Sequence, residues 1–300
     1  MNEFFAADPA ICGHASELKL LLGAFGPYAG RYLADYPKGW SSLVEGQFDD
    51  LGEIEIAKIR TLLRRARESS ALVGRANLPW NSEQEWMANA MPLLGVDPIV
   101  FDGLIARETI PPAIYQFDDL NLPPTADERI AGTAREYVRV SKILLLLSPE
   151  IVVVDPFLDP LKRAYQTVLR ELFALAARGK CQKLVLWARA SEVFRRGSSA
   201  EICSDLHAKL REFALLAKFK RGCRIEMVLV DDEDRKAKMH GRYILSIIGG
   251  VRLDQGLSQL PEGRQNDVGP VGKATHNDLL DVYFDGKHDM GVRERLTVNV

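Results

Sequence analysis

The chain has 300 residues, of which 47% are hydrophobic and 27% charged, a composition typical of globular proteins with a substantial core. Its formal net charge of -2 excludes a global attraction to nucleic acid or acidic membranes, so any binding of polyanions must depend on a local patch. Four cysteines without CxxC spacing favour reduced thiols over a disulfide framework or a zinc site. We see no signal peptide, and the most apolar stretch, Ile143–Leu147, is far too short to span a bilayer. These features predict a cytoplasmic protein.

Residues 1–127 are predicted to form a mainly helical region. Apolar residues recur there at helical spacing, and Ser82 with Glu85 three residues later has the pattern of a capping box. Proline and aspartate are then frequent, which indicates a connector with little regular structure. This helical region is the candidate surface for protein partners. The predicted segments are helices over Ser16–Phe25, Ile54–Val73 and Ser82–Leu94, followed by the connector Gly95–Asp127.

Residues 128–300 have a different pattern. Continuous runs of β-branched and aliphatic residues alternate with helical stretches, which is typical of parallel strands buried on both faces. The predicted fold class is therefore α/β, with a mixed, largely parallel sheet flanked by helices and preceded by the helical region. The predicted strands are Ile151–Val154, Lys183–Trp187, Arg224–Val230, Met239–Ile247, Val251–Leu257 and Leu279–Phe284, with a hairpin turn at Gly249 and Gly250. The predicted helices are Glu128–Leu147, Leu161–Arg178 and Ala200–Lys220; Leu260–Asn277 is predicted as a loop, and Val292–Val300 as a strand or a short helix.

The pair His240 and Arg242 is the main candidate for chemistry. The two residues are two apart on a predicted strand, so both side chains, together with Ser246, should point to the same face. Arginine offers a planar fork of donors that matches phosphate oxygens, and histidine can act as nucleophile, acid, base or donor. The pair therefore predicts a phosphate-binding or catalytic site, with Ser246 as a further phosphate ligand and with a structural or merely exposed histidine as the alternative.

Three further residues are candidates for the same site. Asp155 ends a predicted central strand, where open α/β sheets place ligands, although an aspartate before proline is also common in strand-end turns. Arg252, just after the predicted turn, is a second candidate phosphate ligand, with a solvated hairpin residue as the alternative. Asp254 is a candidate supporting residue. The sequence contains no P-loop, GxGxxG or GxSxG motif, and neither a metal site nor a cofactor is predicted.

The strings around these residues resemble the phospholipase D superfamily. They are Asp155–Leu158 (DPFL), Met239–Ser246 (MHGRYILS), Gly249 with Gly250, and Asp254–Leu257 (DQGL). The likeness is greatest to compact single-motif members, including the phospholipase-D-like domain at the C-terminus of MIT-domain proteins. It covers residues 129 to 300 and says nothing about the preceding region.

The resemblance implies a mixed α/β sandwich and a site for phosphodiesters or phosphorylated lipid head groups. Catalytic members of the superfamily bring together two His-x-Lys motifs, often across a dimer, and need no metal. His240 then occupies the position of the nucleophile or acid, Arg242 stands in place of the lysine, and Ile247 stands where the family has Asp or Asn. Ser246 or Asp254 could replace that missing polar group. The sequence has no second motif of this kind, so a two-histidine site requires a homodimer.

Two functions are left open by the sequence. The first is a phosphodiester-recognising protein that acts on nucleic acid, as a metal-independent phosphodiesterase or nuclease if it is active. By likeness alone, such a protein fits a bacterial system of defence against mobile DNA. The second is a catalytically degenerate module that serves as a binding or scaffolding subunit of a multiprotein or membrane-associated complex.

Overall fold

The structure is a computed structural model that describes residues 2–75, 78–96, 100–106, 113–117, 122, 127–231 and 239–300. The chain divides into two compact units, Met1–Thr125 and Ala126–Val300, so the boundary predicted after residue 127 lies two residues from the observed one. Across these ranges no helix combines the length and the apolar character that crossing a bilayer requires.

The first unit is an α/β structure, and the prediction of a mainly helical region is wrong. Its described elements, in chain order, are β1 (Glu3–Ala7), α1 (Ala15–Gly23), β2 (Arg31–Asp35), α2 (Trp40–Gly46), α3 (Glu53–Glu68), β3 (Leu72–Gly74), α4 (Trp86–Ala90), β4 (Gly103–Ile105) and β5 (Ile114–Tyr115). Within the described residues the strands form one sheet in the order β3-β2-β1-β4-β5, and each pairing is parallel. The core between sheet and helices includes Phe5, Trp40 and Ile59, and the indole of Trp40 donates to the carbonyl of Ala7 at 2.7 Å.

The helices predicted in this unit begin or end at other residues than the predicted ones. The helix predicted over Ile54–Val73 ends at Glu68, and Ser70, at φ 59°, turns the chain into β3. The predicted capping box at Ser82 is not formed, because α4 begins only at Trp86. The predicted connector contains β4 and β5, and much of the rest of it lies outside the described residues.

The second unit has a mixed sheet flanked by helices, as predicted. Its described elements are β6 (Glu128–Ala131), α5 (Ala134–Leu147), β7 (Glu150–Val154), α6 (Arg163–Arg178), β8 (Lys183–Arg189), α7 (Ala190–Val193), α8 (Ser199–Ala217), β9 (Arg224–Asp231), β10 (Tyr243–Ser246), β11 (Gly249–Leu253), β12 (Gln265–Pro270), α9 (Lys273–Tyr283) and β13 (Gly291–Asn299). In the part of this unit that the structure describes, the strand order is β13-β9-β8-β7-β10-β11-β12-β6. The strands β7, β8 and β9 are mutually parallel and the other pairings are antiparallel, so the sheet is less parallel than predicted.

Several boundaries in this unit differ from the prediction. The helix expected from Glu128 is preceded by β6, and Thr133 caps α5 by accepting a hydrogen bond from the N–H of Glu136 at 3.4 Å. The hairpin turn consists of Ile247 and Ile248, since Ser246 pairs with Gly249. The predicted loop Leu260–Asn277 contains β12 and the start of α9, the predicted strand Leu279–Phe284 belongs mostly to α9, and Val292–Val300 corresponds to β13.

The central strand β7 is buried on both faces. Val152 and Val154 belong to an apolar cluster with Trp187 and Leu245, against which side chains of α9 pack. Ile151 and Val153 alternate with them and are also buried, as expected for a strand covered on both sides. All four cysteines lie in the described ranges and are free thiols.

Candidate functional site

The candidate site lies where β7 ends and the segment before β10 begins. Tyr243 pairs with Val154, which places Arg242 beside Asp155, one residue beyond each strand. The pairing with β11 also continues past the end of β10, because the carbonyl of Arg242 accepts a hydrogen bond from the N–H of Leu253 at 2.9 Å. The site is therefore at the carboxyl edge of the parallel strands, where open α/β sheets place their ligands.

Asp155 is a buried carboxylate held by hydrogen bonds. Its Oδ1 accepts from the N–H of Phe157 at 2.9 Å and its Oδ2 from the N–H of Leu257 at 3.0 Å, while the hydroxyl of Tyr165 also hydrogen-bonds to it. Burial raises the pKa of Asp155, and these hydrogen bonds and Arg242 oppose the rise. Burial and the nearby carboxylate likewise raise the pKa of Tyr165, which keeps its hydroxyl protonated as a donor.

Arg242 is anchored by three neighbours. Its Nε lies 3.9 Å from Oδ1 of Asp155, and its Nη1 donates to the carbonyl of Asp254 at 2.8 Å. The Cζ atom of its guanidinium lies 5.3 Å from the ring centroid of Phe157, within range of a cation–π contact. The side chain stays 26% exposed, so the guanidinium is held in position yet accessible from solvent.

The loop that follows β11 closes tightly over this pair. Gly256 has φ +78°, and a Cβ at this position would collide with Oδ2 of Asp155 and lie 3.0 Å from Cδ of Arg242. The buried amide of Asn266 fixes the loop, because its Nδ2 donates to the carbonyl of Gly256 at 3.0 Å and its Oδ1 accepts from the N–H of Gln255 at 2.9 Å. The contact between Asp155 and Arg242 therefore requires that the backbone of residue 256 lie close to both side chains, which only glycine allows.

His240 stands two residues before Arg242, in the segment that precedes β10, and the prediction that it lies on a strand is wrong. Met239 is buried in the apolar cluster, and a Cβ at Gly241 would collide with the ring of Tyr243, so these three residues share one side. That His240 and Arg242 project together to the opposite side stays a prediction from alternation along the chain. His240 is exposed and makes no hydrogen bond or ion pair within the described ranges.

Ser246 and Arg252, both predicted for this site, lie elsewhere. Ser246 is buried, and its hydroxyl accepts from the N–H of Ile248 at 3.2 Å and donates to the carbonyl of Gly249 at 3.3 Å, which closes the hairpin turn. It is four residues from Arg242, or roughly 13 Å along a strand. The prediction that Ser246 binds the same phosphate is therefore wrong. Ile247, at the tip of this turn, is 55% exposed.

Arg252 is on the other face of the sheet. It pairs directly with Tyr243 and so projects to the side opposite Arg242. Its Nη2 donates to Oδ2 of Asp127 at 3.0 Å, and its Nη1 lies 3.7 Å from Oδ1 of Asp254. The expectation that Arg252 faces the site is wrong, and Asp254 supports Arg242 through its carbonyl while its carboxylate faces Arg252.

Sequence reasoning missed the aromatic and amide groups around the pair. Phe157 and Gly256 stand inside the strings that carry the resemblance, so the sequence indicated that they lie near the site but did not indicate their contacts. Tyr165, near the start of α6, and Asn266, on β12, approach the site from distant parts of the chain and gave no local signal. Within the described ranges no group of three or more His, Cys, Asp or Glu side chains is placed to hold a metal ion.

Comparisons with known proteins add little to this geometry. No family model matches the sequence, and no curated protein matches it. Among solved structures, one match is the archaeal chromatin protein TrmBL2, whose structure is described as showing a novel mode of DNA binding. The two chains are 10% identical with a TM-score of 0.30, over 58% of this chain and 55% of that chain, so the match spans about half of each. A likeness of this size carries no inference about fold or function, and the phospholipase-D-like assignment stays a prediction.

Proposed function

We propose that residues 128–300 recognise a phosphate group of nucleic acid through Arg242 and His240, in a phospholipase-D-like arrangement. The observation that carries the proposal is the guanidinium of Arg242, which is anchored by Asp155, Phe157 and the carbonyl of Asp254 yet remains accessible, two residues after the exposed His240. A guanidinium presents donors in a planar fork that matches phosphate oxygens.

The anchored position of the Arg242 guanidinium favours phosphate binding in two ways. A side chain already held in one geometry loses little conformational freedom when a ligand arrives. The contact with Asp155 also leaves the guanidinium donors available, because its Nε lies 3.9 Å from Oδ1, which is longer than a hydrogen bond. The net charge of -2 gives no general attraction to polyanions, so this local contact must supply the affinity.

The binding test compares two arginines of the same hairpin. We expect Arg242→Ala to lower affinity for a DNA or RNA oligonucleotide by about 10- to 150-fold, the range for a lost hydrogen bond to a charged group, and to reduce the salt slope by about one. Arg242→Lys should retain part of the affinity. The matched control is Arg252→Ala, on the opposite face. Equal losses in both alanine variants, or no loss in either, would remove the proposal.

Cleavage is the more demanding form of the same function. Since the chain supplies one histidine motif, a two-histidine site would have to combine His240 of two copies. We expect a nuclease assay in the presence of EDTA to show turnover by the wild type and none by His240→Ala, with oligonucleotide binding kept. Equal turnover by the two proteins would exclude His240 as nucleophile or acid.

A second candidate function is recognition without cleavage, as a binding or scaffolding subunit. It is favoured by His240, which has no hydrogen-bond partner in the described part of the chain, and by Ile247, which occupies the hairpin tip in place of an orienting polar group. This candidate predicts wild-type binding with no turnover of any phosphodiester. Recovery of a stable complex with a second protein would support it further, whereas EDTA-resistant turnover that depends on His240 would exclude it.

A further inference from the structure

Phe157 exposes an aromatic ring at the mouth of the candidate site. The residue is 39% exposed and directly follows the buried strand end at Asp155 and Pro156. Its placement is fixed, since Pro156 precedes it and its own N–H donates to Oδ1 of Asp155 at 2.9 Å. Arg242 lies over the ring, with its Cζ atom 5.3 Å from the ring centroid. The site thus presents an accessible aromatic group and an accessible cation side by side.

These two groups match the two parts of a nucleotide. A guanidinium binds the phosphate, and an aromatic ring stacks on a base, whichever base it is, because every base has a π-face. The sugar joins phosphate and base within one residue of the strand, so both protein groups must also be adjacent, as Arg242 and Phe157 are. A phosphorylated lipid head group or a bare phosphate would contact the arginine and gain nothing from the exposed part of the ring.

We propose that the ligand of this site is an unpaired nucleotide of a single strand, with its phosphate on Arg242 and its base stacked on Phe157. This inference rests on the proposed function and narrows it to single-stranded nucleic acid. In a duplex the bases are paired and stacked inside, where a ring at the surface of the protein cannot reach them. A single strand exposes its bases, and stacking on aromatic side chains is a general means of binding it without sequence preference.

The test uses the full chain and three probes of equal length: an oligothymidylate, a strand of the same length with abasic sites, and a duplex. The abasic strand keeps the phosphates and lacks the bases. We expect Phe157→Leu, which keeps apolar volume but has no π-face, to lower affinity for the oligothymidylate by about 5- to 150-fold. The same variant should bind the abasic strand and the duplex as the wild type does. Phe157→Trp should bind the oligothymidylate at least as tightly as the wild type.

The outcomes separate the inference from the proposed function. Unchanged binding of the oligothymidylate by Phe157→Leu would overturn base stacking. An equal loss for all three probes would also overturn it, because Phe157 would then act only by holding Arg242. In either case a loss of binding in Arg242→Ala would leave phosphate recognition standing. If Arg242→Ala binds every probe like the wild type, both the proposed function and this inference fail.

Discussion

Replacing Gly256 by alanine should disrupt the candidate site, and a second glycine provides a matched control. Gly256 has φ +78° and Gly263 has φ +77°, so an alanine at either position pays the same backbone penalty of about 1–2 kcal/mol. The surroundings differ: a Cβ at Gly263 meets nothing within 4 Å, whereas one at Gly256 collides with Oδ2 of Asp155.

The additional destabilisation at Gly256 can be worked from the contacts. Moving Asp155 away breaks the hydrogen bond from the N–H of Leu257, which is 3.0 Å long. A hydrogen bond to a charged group contributes about 1.5–3 kcal/mol. We therefore expect a loss of about 2.5–5 kcal/mol in the unfolding free energy for Gly256→Ala and about 1–2 kcal/mol for Gly263→Ala. The variant at Gly256 should also lose oligonucleotide affinity, since the added Cβ lies 3.0 Å from Cδ of Arg242.

Peptide-resolved hydrogen exchange in a urea series measures the unfolding free energy of the second unit separately from the first. The informative quantity is the difference between the two variants, because the shared backbone penalty cancels. A difference near zero would show that the loop around Gly256 does not pack on Asp155 in solution, and the geometry of the site would have to be abandoned.

Three other perturbations probe the site, the segment before β10 and the helix packing of the second unit. Burial raises the pKa of Asp155, so its contribution to stability is fully present below the unfolded aspartate pKa of about 4 and is lost as pH rises through the raised native value. Asp155→Asn should flatten this fall in unfolding free energy, and an unchanged pH profile would contradict the assignment. Gly241→Ala should be less destabilising in a Tyr243→Ala background, with a coupling of about 0.5–3 kcal/mol in a double-mutant cycle, whereas additive effects would refute the collision. Phe173→Ala removes a buried ring 5.5 Å from that of Phe213, and denaturation should reveal a loss of about 3–5 kcal/mol; a loss below about 1 kcal/mol would contradict this packing.

The parallel strands of the second unit could be predicted because each is a continuous buried run and helices separate one run from the next. The strands of the first unit could not, since they are short and pair with distant segments. Phe5 pairs with Leu33 on one side and Gly103 on the other, and nothing in the local sequence indicates either partner. In a strand such as β1 the apolar residues are as compatible with a buried helix as with a sheet.

The candidate site was predictable to the extent that it depends on alternation along one segment. Alternation predicts a shared side for His240 and Arg242, but both lie before β10, where no strand pairing fixes the direction of His240. Arg252 pairs with Tyr243, and a two-residue turn at the glycines would have paired it with Ile247, so either register turns it away from Arg242. Its misplacement was therefore avoidable, because residues directly opposite each other share a face and neighbours along a strand do not.

The final strand, β13, gives the second unit more than additional core. It lies antiparallel along the whole of β9, and Val300 is held at the start of β9, since the N–H of Gly222 donates to the carbonyl of Val300 at 2.7 Å. Six consecutive residues of β9 are buried, five of them apolar, so an uncovered β9 would offer a largely apolar edge with unpaired backbone groups to other molecules. We expect removal of β13 to expose this edge and to be visible as aggregation in light scattering.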